Sequence, residues 1–114
     1  MLTAYEPDAG DLIWTDFDPR VGREQSGRRP ALVLSPIDFW RASRFVIVCP
    51  ITSRVRPFDS SVVLPAGLAI MGEILTSHVR SIDATSRPIL YAGARVPEIV
   101  LDDVRAKLIT LIGA

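Results

Sequence analysis

Residues 44–52, RFVIVCPIT, are the most hydrophobic stretch of the chain. An apolar run of strand length, rich in β-branched residues, must lie inside a sheet, so the fold has to be assembled around it as a central strand. Pro50 lacks the amide proton that a ladder uses, which predicts that the strand ends or bulges there.

The remaining segments read as partners for such a strand. Residues 10–17 (GDLIWTDF) alternate in part between apolar and polar and form a first strand, and residues 30–35 (PALVLS) form a short continuous apolar one. Residues 60–64 are a further short strand. Residues 72–83 carry one strand or two with a bend. Residues 89–95 make a last strand, in which Gly93 marks a bulge. Residues 36–43 have room for one or two helical turns. Between these lie a long loop at 18–29, punctuated by Pro19, Gly22 and Gly27, and a second loop at 53–59.

The end of the chain differs. Pro97 and Glu98 start a helix, with proline at its first position. Val100, Val104, Leu108, Leu111 and Ile112 then recur at helical spacing, Arg105 and Lys107 fall in the later half, and Gly113 is a stop. Many short strands followed by one amphipathic helix predict a mainly β fold, a small coiled sheet or barrel capped by that helix. The length of 114 residues makes it a single domain, 1–114.

Several chemistries find little support. The chain has one cysteine, Cys49, inside the apolar run, and one histidine, His78. No internal disulfide can form, Cys49 reads as a buried and inert thiol, and no metal-ligand spacing is present, so no metal or other cofactor is expected. There is neither a nucleophile elbow nor a phosphate-cradling glycine motif. The first residues are acidic and lack the apolar core of a secretory signal, and no stretch approaches the ~20 apolar residues of a membrane span. A cytoplasmic protein without membrane contact is expected.

Charge is informative through its placement. Thirteen basic residues balance thirteen acidic ones, yet residues 20–29 hold four arginines against Glu24 alone, and Arg54 and Arg56 add two more in the second loop. A local cationic surface on a neutral chain can still focus an anionic ligand. Arg28, Arg29 and Pro30 bring two guanidiniums to the mouth of a strand, where proline biases Arg29 toward extended geometry. A guanidinium presents forked donors that match phosphate oxygens. If Thr52 and Ser53 at the end of the central strand lie beside them, the group can stabilise a pentavalent phosphorus while the 2′-hydroxyl of RNA attacks its own backbone. Each piece also has a plainer reading: solvated arginines, a threonine that ends a strand, and a glutamate that balances its neighbours.

The segment GDLIWTDFDPRVGREQSGRRPALVLSP resembles the N-terminal half of the MazF/PemK toxin family. The likeness rests on G-D-L-I-W, D-P, G-x-E-Q-x-G and R-P-A-L-V-L-S, and continues through VCPITSR, GEILTSHVRSID and the terminal helix ending in LIG. It covers nearly the whole chain. The resemblance implies a small SH3-like β-barrel with a C-terminal helix, assembled as a homodimer. It implies sequence-specific, metal-independent cleavage of single-stranded RNA to 2′,3′-cyclic phosphate and 5′-hydroxyl ends, and hence inhibited translation and growth. It also implies a MazE-like antitoxin partner whose acidic, apolar tail occupies the RNA site, with DNA reached only through that antitoxin.

Carried over residue by residue, the resemblance makes Arg29 and Thr52 the pair at the phosphate and Glu24 the loop carboxylate. Arg29 binds the non-bridging oxygens and Thr52 donates a hydrogen bond. Whether Arg29 or Glu24 moves the proton is open, although an arginine that stays protonated below a pKa of ~12 is the poorer base. Arg20, Gln25, Arg28, Ser53, Arg54, Ser77 and His78 are expected to contact RNA, with Trp14 and Phe17 as stacking platforms or, more plainly, core or dimer contacts. The arginine-rich loop at 18–29 then reads as a lid that grips phosphate. Some relatives have an acid, and one branch an Arg-x-Asp pair, in the strand matching residues 75–77; here Leu75 and Ser77 stand there, so that branch's acid–base scheme does not transfer. His78 stands where glutamine is common and is either an RNA contact or an ordinary strand histidine. The rival readings are a toxin of the same fold that poisons DNA gyrase by binding, and a non-cleaving RNA or antitoxin binder.

Overall fold

The computed structural model of the protein describes residues 4–17 and 28–113. Its elements are β1 (Asp11–Thr15), β2 (Arg29–Val33), α1 (Ile37–Ser43), β3 (Phe45–Thr52), β4 (Val62–Val63), β5 (Glu73–Ile74), a 3-10 turn (Thr76–His78), β6 (Arg80–Asp83), β7 (Ile89–Arg95) and α2 (Glu98–Ile112). The strands pair antiparallel in the order β4-β5-β3-β2-β1-β7, with β6 also on β3.

The mainly β fold with a C-terminal helix is as expected, and so is the central place of residues 44–52. Closure into a barrel is corrected. Among the described residues no pairing joins β4 to β7, so the sheet is open. One flank tapers to strands two residues long, which leaves no continuous ladder to carry the register round a circle.

Pro50 does not end β3, which runs on to Thr52. The break falls in the neighbouring strand instead. Phe45 to Val48 pair with β6, Ile51 and Thr52 pair with β5, and the 3-10 turn separates the two. The Pro50 carbonyl accepts the Leu75 amide on that side. A strand residue's N and O point the same way, so the missing proton of Pro50 falls where the neighbouring ladder is interrupted and costs no bond.

Alternation along the strands fills two faces. Leu12, Leu32, Cys49, Ile51 and Ile74 pack with Val100, Leu101 and Val104 of α2. Ile13, Ala31, Val33, Val46, Val48 and Ile82 form the second face, against which Tyr5, Phe17 and Trp40 pack. Cover on both faces explains why the central strands read as unbroken apolar runs.

The bulge at Gly93 is present: Asp11 pairs with Arg95 but Ile13 with Tyr91, and Gly93 has φ +85° within the extra residues. In α2, Pro97 is the capping residue rather than the first helical one, and Gly113 closes the helix in the left-handed conformation. Val100, Leu101 and Val104 are buried, whereas Leu111 and Ile112 of the expected stripe are exposed.

Candidate functional site

Strand register brings the cationic and hydroxyl groups together. In the β1–β2 ladder Trp14 faces Pro30 and Thr15 faces Arg29. In the β2–β3 ladder Ala31 faces Pro50 and Leu32 faces Cys49. Each such pair sums to 81, so the same register, carried two residues further, sets Arg29 opposite Thr52. Both therefore stand at the same end of the central sheet. Arg28 and Arg29 are exposed, and Thr52 is half-buried.

These residues line a cleft of about 610 Å³. Arg28, Arg29, Thr52 and Ser53 give the lining its cationic and polar groups, and Trp14, Pro30, Ile51, Ala69, Ile70 and Met71 give it apolar surface. Thr52 Oγ1 accepts the Arg54 amide at 3.1 Å, which pins its side chain and leaves its own proton to donate elsewhere. Trp14 is outward because its strand neighbours Ile13 and Thr15 point into the core; it keeps 36% of its surface exposed.

Gly72 and Glu73 lie next to Thr52. Gly72 has φ +137°, and a β-carbon there would overlap the Thr52 carbonyl oxygen. Glu73 pairs with Thr52 across β3 and β5 and is wholly buried. The hydrogen bond from the Ser61 hydroxyl, then that from the Arg56 amide, hold the Glu73 carboxyl below the usual carboxylate range.

The other expected residues fall elsewhere. Ser77 and His78 lie exposed on the 3-10 turn and do not line the cleft. Arg54 is exposed on the loop beyond Ser53, also outside the cleft lining. Phe17 packs against the second core face beneath the Arg80 guanidinium, whose carbon lies 5.4 Å from the ring centre. Arg20, Glu24 and Gln25, and the lid expected of their loop, lie outside the described residues.

Sequence reading missed Ala69, Ile70 and Met71. The one available signal was a run of apolar residues, LAIM, after the Pro65-Ala66-Gly67 turn and before Gly72. Among the described residues no three His, Cys, Asp or Glu side chains come together in a group fit to hold a metal ion. Cys49, inside the core, has its thiol pushed up by burial to about 12 and is no nucleophile. No helix among the described residues is long and apolar enough to cross a membrane.

Comparison with known proteins gives one consistent family. Residues 8–112 match the family described as PemK-like, MazF-like toxin of type II toxin–antitoxin system. The chain is 40% identical over 113 residues to the endoribonuclease toxin MazF of Escherichia coli, covering 99% of this chain and 100% of that protein. The crystal structure of MazF from Deinococcus radiodurans superposes with a TM-score of 0.87 at 45% identity, covering 97% of this chain and 100% of that one. A MazE-MazF structure from the same organism superposes with a TM-score of 0.84 at 42% identity, covering 96% and 98%.

Proposed function

The chain belongs to the PemK-like, MazF-like toxin family of type II toxin–antitoxin systems, and on that footing we propose that it is an endoribonuclease toxin that cuts single-stranded RNA at the cleft between Arg29 and Thr52. The observation that carries the reading is that these two residues, 23 positions apart in sequence, line one cleft.

The reaction is a transesterification. The 2′-oxygen of the RNA attacks phosphorus, the bond to the 5′-oxygen breaks, and a 2′,3′-cyclic phosphate and a 5′-hydroxyl result. Negative charge grows on the non-bridging oxygens as the fifth bond forms. The Arg29 guanidinium offers two parallel donors to that charge and the Thr52 hydroxyl a third. Glu24 takes the 2′ proton, because a carboxylate can accept it and an arginine, already protonated, cannot. Solvent protonates the departing 5′-oxygen and Glu24 returns its proton to solvent, which completes the balance. Arg28 and Ser53 hold the neighbouring backbone, and Trp14 offers a face for a base.

In the cell this activity would destroy messenger RNA in the cytoplasm and so stop translation and growth. The active species is a homodimer. Its inhibitor is an antitoxin protein, a reading supported by the MazE-MazF structures of the Deinococcus relative.

The test is to incubate the protein with RNA of mixed sequence in EDTA and map the ends. Discrete cuts with cyclic-phosphate ends are expected. Arg29→Ala should lower the rate by about a hundredfold or more, the scale for removing one preorganised donor from a developing oxyanion, while the protein stays folded. Unchanged cutting by that variant removes Arg29 from the mechanism. No cutting at any sequence, with gyrase inhibited instead, establishes the rival function.

A further inference from the structure

Among the described residues Glu73 is the one acidic side chain with no exposure at all. Burying a carboxylate is costly unless directed bonds compensate it. An apolar side chain would fill the same place, between Thr52 and Val63 of the flanking strands, at no electrostatic cost. What the carboxylate adds is therefore not packing but two directed bonds, and both go to one loop. Oε1 accepts the Arg56 amide at 2.8 Å, and Oε2 accepts the Ser61 hydroxyl. The Ser61 oxygen also accepts the Phe58 amide at 3.1 Å, and the Ser61 carbonyl accepts the Lys107 ammonium of α2 at 2.8 Å.

The loop so fastened runs from the end of β3 to β4. It begins with Ser53 in the cleft wall and carries the exposed side chains of Arg54 and Arg56. Neither arginine lines the cleft, and both are exposed on the loop that leaves it at Ser53.

We propose that Glu73 is a positioning residue of the RNA site, fixing the 53–61 loop so that Arg54 and Arg56 hold phosphates flanking the scissile one. This rests on the reading of the cleft as an RNA-cleavage site. Glu73 takes no part in bond breaking, so its loss weakens substrate binding and leaves the chemical step alone.

Steady-state cleavage of a short RNA with a single cut site separates the two. Glu73→Leu should raise KM by about tenfold and leave kcat within about twofold, on the scale of one or two lost phosphate contacts. Glu73→Gln keeps an acceptor for the Arg56 amide, and rotation of the Ser61 hydroxyl gives its amide group a partner, so it should restore most of the lost KM. Binding of an uncleavable 2′-deoxy analogue should weaken with Glu73→Leu by the same factor, with a shallower salt dependence. A folded Glu73→Leu with unchanged KM, or one that loses kcat at constant KM, overturns the proposal. If Glu73→Leu does not fold, Ser61→Ala removes one of the two anchors and should raise KM by a smaller factor; no rise overturns it equally.

Amide hydrogen exchange at Arg56 reads the anchor without RNA. Faster exchange in Glu73→Leu than in the unaltered protein is expected, and equal exchange overturns the anchoring. An unaltered protein that cuts no RNA overturns the catalytic reading and with it this role, whatever the exchange shows, so the two failures are distinguishable.

Discussion

Gly72 constrains Thr52 through backbone alone. Its φ of +137° is one that side chains rarely adopt, and the space beside it is filled by the Thr52 carbonyl. Gly72→Ala must push the end of β3 aside, and should cost more than about 1 kcal/mol of stability. Because Thr52 moves with it, the cleavage rate should fall further than the lost stability explains; a melting curve and a single-turnover rate matching the unaltered protein would show that the backbone there yields freely. At this scale the site was partly legible. Arg29 and Thr52 each carry a local marker, a proline after one and a polar break after an apolar strand at the other. Glu73 carried none. In the string GEIL a charge beside apolar residues looks like the solvent side of a strand, and only the Ser61 hydroxyl and the Arg56 amide, 12 and 17 positions away, make its burial tenable. Met71 showed only as the end of the apolar run LAIM, which lies outside helix and strand and so has no periodicity to point it at a cleft.

Helix α2 divides into a half that holds the sheet and a half that does not. Leu101 is almost completely buried against the first core face, whereas Leu111 keeps 47% of its surface exposed. Leu101→Ala should therefore cost about 2–5 kcal/mol, and Leu111→Ala no more than about 0.5 kcal/mol, measured by denaturant unfolding at a concentration low enough to keep the chain monomeric. Similar losses from both would mean that the last turns are packed as well. The stripe of residues 100, 104, 108, 111 and 112 was visible in the sequence, but periodicity states which residues share a face and not how far the neighbouring sheet extends beneath it. The strands show the same limit. All the main runs were legible from their apolar content, and Gly93 announced its bulge. Pro50 misled because its consequence passed to the next strand: the chain kept β3 intact and interrupted its neighbour at residues 76–78. Barrel closure was not legible either, because it depends on whether two strand edges meet, and short runs at 62–63 and 73–74 do not determine that.

The whole molecule balances its charge to zero, so what it does with arginine is a matter of arrangement. The same holds for its one thiol. Burial raises the Cys49 thiol from its ordinary 9.0 to about 12 in the folded chain. A group whose pKa is raised by folding contributes stability that is whole below the unfolded value and disappears as pH climbs through the folded one. Stability should therefore decline from about pH 9 upward, and Cys49→Ala should flatten part of that decline in pH-dependent urea unfolding; an unchanged slope would assign the alkaline loss to other groups. The position of this residue has a practical side. It is the chain's only sulfhydryl and sits with no exposure on the central strand. A thiol-reactive dye can find it only in molecules whose sheet has parted, so the rate of labelling times the opening of the fold, with no probe having to be engineered in.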